Sequence, residues 1–179
     1  AYLAQLQAAK LNDDVEVAHY AATAVAQISK ESDLKLQQLE RAFKTDPSAL
    51  NLNEYCDFLG EYLGSGLAEG RVAQIQRQQY ARLLARRCER EDTLELRIRY
   101  ATALADVGQI DEAQAVTDQL VLDVPEEQEV WMLCLRLAVM RRDGDEVHRV
   151  IDAIDKQHVY LSAANREELA FWRNGEEAR

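Results

Sequence analysis

Three histidines, three cysteines and 32 carboxylates are the side chains of this 179-residue chain that could hold a metal or move a proton. Their spacing builds neither. His19 stands alone inside VEVAHYAAT, and His148 and His158 lie ten residues apart, outside any HExxH pattern. Its apolar neighbours predict a buried, hydrogen-bonded His19. Cys56, Cys88 and Cys134 contain no CxxC pair and no zinc spacing. Each falls among apolar helical residues, which predicts buried free thiols and suits a reducing compartment such as the cytoplasm. Carboxylate pairs such as Glu126/Glu127 and Glu167/Glu168 are ordinary on solvated helix faces. Gly64-Ser65-Gly66 lacks the Lys-Ser/Thr that completes a phosphate loop. The sequence therefore predicts no catalytic residue, no cofactor and no metal.

One cluster of reactive polarity remains. Arg82, Arg86 and Arg90 recur every four residues, as one stripe of a helix, with Arg87 flanking it. The chain carries a formal charge of −11, but unevenly. Residues 1–70 hold 5 basic and 11 acidic groups, giving −6; residues 71–99 hold 8 and 4, giving +4; residues 100–179 hold 8 and 17, giving −9. The arginine stripe is thus a cationic island, readable as an exposed face balanced by Glu89, Glu91 and Asp92. It is also a candidate docking patch for an acidic partner or anionic headgroups. Val72, Ile75, Leu83 and Leu84 are expected on the opposite, core-facing stripe. The acidic balance argues against nucleic acid, whose phosphates reward a basic surface. No apolar run approaches the roughly 20 residues that span a bilayer, and no segment resembles a signal peptide.

The elements that position this cluster are predicted to be helices throughout, with only 7 Gly and 2 Pro to interrupt them. Residues 94–127 read LELRIRYATALADVGQIDEAQAVTDQLVLDVPEE. Tyr100 and Ala101 supply a large and a small site on a first helix, and Gly108 suits a left-handed cap between helices. Asp111-Glu112-Ala113 opens a second helix, whose acids complement the helix dipole, and Pro125 stops it. Ala101 and Ala113 mark where the two backbones approach closely. The pattern resembles a tetratricopeptide repeat, in its length as well as in its small, turn and Pro sites. Trp131 lies one such repeat length after Arg97, and Val147 one after Ala113. A second unit therefore keeps register, with Gly144 expected to turn its hairpin two residues late.

The whole is predicted as one all-α, right-handed tetratricopeptide-repeat-like solenoid with a long N-terminal helix and a C-terminal capping helix. Its parts are a divergent helical unit (13–47), an extended repeat (48–93), the standard repeat (94–127), a divergent repeat (128–160) and the capping helix (161–175). Within 13–47, Asp14 to Lys44 contains no Gly or Pro, implying one long helix or two with a kink near Ser29–Asp33. Asp13 or Asp14 is its cap, and Val15, Ala18, Ala22, Val25, Ile28, Leu36, Leu39 and Phe43 are its apolar positions. Helices follow over about 50–63 and 69–90. Ser162 caps the last helix, whose apolar residues are Leu169, Phe171 and Trp172. Of the groove sites Glu95, Ile98, Arg99, Thr102, Asp106, Glu129 and Leu133, only Arg99 fits the clamp with which some such domains hold chaperone tails.

DDVEVAHYAATAVAQISKESDLKLQQLERAF (13–43), NEYCDFLGEYLGSGLAEG (53–70) and QRQQYARLL (76–84) resemble the PelE family. These are repeat-containing subunits of the bacterial inner-membrane complex that makes the Pel exopolysaccharide. The resemblance covers about residues 13–90 and implies a non-catalytic scaffold in biofilm matrix production, on the cytoplasmic face of the inner membrane. Its implied partners are a membrane-bound cyclic-di-GMP receptor, a cytoplasmic glycosyltransferase and a polytopic export protein. Transmembrane helices, absent from this chain, are implied before Ala1. A generic repeat adaptor of another envelope or secretion system is the alternative, and a repeat-containing regulator binding RNA or a peptide signal is a third.

Overall fold

The computed structural model describes residues 2–174. Nine helices account for 81% of the described residues, and these contain no strand. The chain forms two compact units, Ala1–Leu83 and Leu84–Arg179.

The first unit holds α1 (Tyr2–Ala9), α2 (Val15–Thr45), α3 (Ala49–Gly64) and most of α4 (Gly70–Cys88). α2 is a single helix without interruption at Ser29–Asp33. Its N-cap is Asp14, whose carboxylate accepts from the Glu16 and Val17 amides, and Glu16 lies in the first turn where the dipole favours it. Its C-terminal half is amphipathic in the expected way: Leu36, Leu39 and Phe43 are buried against the side where α3 packs. The N-terminal half differs from expectation. Val15 is 80% exposed and Ala22 is exposed, while Ala21 is the residue buried there. α1 is the helix packed on α2 within this unit besides α3; the expected positions Ala18, Val25 and Ile28 are half-buried, and only Ala21 of that half is fully enclosed. Ser48 caps α3, and Asn51 Nδ2 donates to the Asp46 carbonyl at 2.8 Å, closing the Asp46-Pro47 corner. On α3, Leu52, Tyr55, Cys56, Leu59 and Tyr62 form the buried face, whereas Phe58 and Leu63 are half-buried.

The second unit holds the remainder of α4, then α5 (Leu94–Asp106), α6 (Ile110–Asp123), α7 (Gln128–Arg141), α8 (Gly144–Lys156) and α9 (Ala163–Asn174). Gly175, the last residue of the predicted capping helix, lies outside the described residues. Each helix packs on the next from α5 to α9, and α5 also touches α7. Ala101 and Ala113 are fully buried in one core cluster with Leu104, Leu120, Val130 and Leu137. At these sites a larger side chain would hold the backbones apart. Tyr100 is half-buried beside them, and burial pushes its phenol up from the ordinary range. Trp131 is buried, and its indole donates to the Pro125 carbonyl at 2.7 Å, tying the start of α7 to the exposed corner that ends α6.

Three helix ends in this unit close alike. After α5, Gly108 (φ +78) donates to the Ala105 carbonyl and Gln109 to the Leu104 carbonyl, the paired bonds of a Schellman cap. After α7, Arg142 (φ 58) and Asp143 make the same bonds to Val139 and Ala138. After α8, His158 (φ 53) and Val159 make them to Asp155 and Ile154. The turn between α7 and α8 therefore belongs to Arg142, 34 residues after Gly108, and not to Gly144, which is the first residue of α8. Asp143 caps α8 by accepting from the Glu146 amide. Side-chain size is exchanged between the two hairpins. Leu135 stands 34 residues after Ala101, and Ala138 34 after Leu104, all four buried. The total volume across the pair of sites is kept, which core packing tolerates best.

Candidate functional site

The arginine cluster is set by the rotation of α4. Ala73, Gln76, Tyr80, Leu83, Leu84 and Arg87 follow helical spacing along one line, and that line faces inward. Ala73, Leu83, Leu84 and Arg87 are buried, with Gln76 and Tyr80 half-buried. Tyr80 lies so close to α3 that a Cβ placed on Gly60 would stand 2.7 Å from its hydroxyl. The expected core stripe is correct for Leu83 and Leu84 and wrong for Val72 and Ile75, which are 60% and 57% exposed. The inward line takes the small Ala73 in the first turns of α4, and the bulkier branched residues beside it lie outside.

The arginines divide accordingly. Arg82, Arg86 and Arg90 are exposed, whereas Arg87 is only 9% exposed. Arg87 is thus removed from the surface patch in which its position beside the stripe had placed it. Arg90 lies just beyond the end of α4. Arg86, Arg87 and Arg90 each take part in an interaction within the chain; Arg82 has no ion-pair partner among the described residues. By helical spacing Val72 and Ile75 lie on the same line of α4 as Arg82 and Arg86. The face is therefore amphipathic along its length, apolar in its first turns and basic in its last, where positive charge also complements the dipole.

The other chemistry-bearing residues stay dispersed. His19 is exposed rather than buried, on the solvated half of α2; its backbone carbonyl accepts from the Thr23 hydroxyl. Cys56 and Cys134 are buried and in no disulfide, and burial pushes Cys134 up to about 12. Cys88 is only half-buried at the end of α4, its thiol raised chiefly by desolvation. Among the described residues no group of three His, Cys, Asp or Glu side chains is placed to hold a metal. No described helix is long and apolar enough to cross a membrane. Arg99 lies 3.8 Å from Glu95 one turn earlier on α5, and Leu133 is buried, so neither is presented as a clamp requires.

Sequence reasoning missed the ion pairs that link helices of the second unit. Arg97 Nη1 donates to Asp123 at 2.6 Å, joining α5 to α6 and holding that carboxyl below its usual range. Arg136 reaches Asp106 at 2.5 Å and Arg141 reaches Asp111 at 2.8 Å, both across 30 residues. That repeated separation was the available signal.

No family model, curated protein or solved structure matches this chain. The site's meaning rests on its own residues.

Proposed function

We propose that this chain is a non-catalytic interaction scaffold, a tetratricopeptide-like repeat array that docks partner proteins through the solvent face of α4. The observation that carries the reading is the exposed line Val72, Ile75, Arg82, Arg86, continued by Arg90, on a chain of charge −11. Arginine is enriched at protein interfaces, the exposed aliphatic side chains beside it offer apolar area for a partner to bury, and a local cationic field steers an acidic partner onto them. Support for the repeat architecture comes from helices that pack in chain order, from α5 meeting α7, and from equivalent caps at Gly108 and Arg142, one repeat length apart. The close, all-alanine crossing at Ala101 and Ala113 supports it as well.

The resemblance of residues 13–90 to the PelE family gives this reading its partners: the cyclic-di-GMP receptor, the glycosyltransferase and the export subunit of a Pel synthase, at the cytoplasmic face of the inner membrane. The test is co-purification of the chain with each of these three subunits after co-expression, for the native sequence and for Arg82→Glu/Arg86→Glu/Arg90→Glu. Arg87 is left in place because it is buried. The expected result is capture of at least one subunit by the native chain and weakened capture by the triple variant, with unchanged far-UV circular dichroism. The difference should be larger at low ionic strength, where charge complementarity is least screened. Failure of all three subunits to co-purify would refute the Pel reading, and unchanged capture by the triple variant would refute the α4 face.

A further inference from the structure

A second candidate site lies at the end of the second unit, in residues the α4 reading does not use. The Schellman cap at His158 ends α8 and sends the chain across residues 159–162 before Ser162 caps α9 through the Asn165 amide. Gln128 of α7 fixes this crossing: its side-chain oxygen accepts from the Ser162 amide at 2.8 Å and from Asn165 Nδ2 at 3.0 Å. Between α8, the crossing and α9 is a cavity of about 560 Å³, within the range of ligand pockets. Its floor is aliphatic and rigid, made of Ile154, Leu161 and Leu169, all buried members of one core cluster.

The walls are cationic on balance, with Arg166 and Arg173 set against Asp155. Arg166 and Arg173 both line the cavity from α9. Seven residues, two turns, separate them, so they share a face with heads spaced ~10 Å along the axis. Leu169 and Ala170 lie between them. Arg173 is held by Asp155, its Nη2 donating to both carboxylate oxygens at 2.5 and 2.6 Å. That pair fixes the guanidinium and leaves its other N–H groups for a ligand. Arg166 is exposed, and its side chain has no partner among the described residues. His158 and Tyr160 add a third nitrogen centre and an exposed ring at the edge.

We propose that this cavity binds a short acidic peptide segment in extended form: two carboxylates on Arg166 and Arg173, with an aliphatic side chain between them on the floor. Side chains of an extended segment alternate faces, so carboxylates at positions i and i+4 flank an aliphatic side chain at i+2; their backbone positions span ~13 Å, and glutamate side chains angle inward onto the arginines. The aliphatic floor between the cations disfavours a bare anion, because it rewards buried apolar surface. The overall charge of −11 disfavours a long polyanion, which would meet repulsion beyond the two arginines. Planar guanidinium forks suit carboxylates and phosphates alike, and it is the aliphatic floor between them that favours a peptide.

The experiment uses the full chain and a fluorescein-labelled heptapeptide with glutamate at its second and sixth positions and leucine at its fourth. Binding is read by fluorescence anisotropy. The native chain should bind it, and a peptide with glutamine replacing both glutamates should bind about tenfold or more weakly, as the loss of charge-assisted bonds requires. Arg166→Glu removes one anchor at an exposed position, and Ala170→Trp fills the cavity without altering charge; each should weaken binding by about tenfold or more. Absence of binding by the native chain would overturn the proposal, as would unchanged affinity in both variants. Displacement of the peptide by inorganic phosphate at equal concentration would overturn it too, by assigning the arginines to a bare anion. No membrane subunit is present in this assay, so its failure leaves the α4 reading standing, and failed co-purification leaves this one standing.

Discussion

Replacing Gly60 by alanine tests the contact between α3 and the Tyr80 ring of α4. A Cβ there would lie 2.7 Å from Tyr80 Oη, 3.0 Å from Cζ and 3.1 Å from Cε2, all inside the ~3.5 Å at which carbon contacts become favourable. The ring must shift, and overpacking of this kind costs about 1–3 kcal/mol. Against it stands the gain of about 1 kcal/mol when alanine replaces glycine within a helix. The net effect runs from near zero to about 2 kcal/mol destabilising. Gly64, at the end of the same helix, supplies the control: a Cβ there meets nothing within 4 Å, so Gly64→Ala keeps the propensity gain without the clash. The two variants should differ by about 1–3 kcal/mol. In a chain of this length that is a melting-temperature difference of about 2–12 °C, read by far-UV circular dichroism. Tyr80→Leu supplies the second arm. With the ring gone, Gly60→Ala should turn from neutral or destabilising to stabilising, giving a coupling energy of about 1 kcal/mol or more. Equal melting temperatures for the two alanine variants, together with no coupling to Tyr80, would refute the seating of the Tyr80 ring against Gly60.

Two further predictions concern α3 and the α7–α8 turn. Burial, chiefly, pushes both Tyr55 and Tyr62 up to about 12; Glu40 adds its charge at Tyr55, and Tyr62 also donates to Asp33 at 2.6 Å. A phenol that holds its proton more tightly when folded contributes stability that is complete below the unfolded value near 10 and is lost as pH rises to about 12. Stability should therefore fall across that interval, and Tyr62→Phe should flatten the fall; a chemical-denaturation series against pH checks it. At the turn, Arg142 holds a left-handed conformation (φ 58) that disfavours non-glycine residues by about 1–2 kcal/mol. Arg142→Gly should stabilise the chain by about 1 kcal/mol, measured by urea titration, and unchanged or lower stability would contradict the assigned cap.

What the sequence made legible follows from which signals are local. Helix starts were readable because the caps are local chemistry: Asp14 and Ser162 both accept from the amides that their types suggest. The crossing at Ala101 and Ala113 was readable because small residues have little other use at buried, regularly spaced sites. The turn after α7 was misassigned because glycine is the habitual left-handed residue and Gly144 stood two positions away. The repeat interval counted from Gly108 pointed to Arg142 instead, and packing on both sides of the hairpin enforced the register over the local preference. Arg87 was misplaced because charge predicts exposure for an isolated helix, whereas α4 buries that line along its length. His19 was misplaced in the opposite sense. Its apolar neighbours implied a buried face, but that half of α2 is buried only at Ala21.

The rotation of α4 changes what kind of interface its outer face can make. With Val72 and Ile75 inward and four arginines outward, the face would have been a purely electrostatic patch, with affinity lost as salt screens it. The observed rotation puts Arg87 inside and the two aliphatic residues outside, on the line that continues through Arg82 and Arg86. Apolar burial is non-directional and insensitive to screening, whereas the arginines act through a field that steers encounter and rejects cationic competitors. A partner that covers both halves gains its residence time from the aliphatic end and its orientation from the basic end, so salt should slow its arrival more than it hastens its departure.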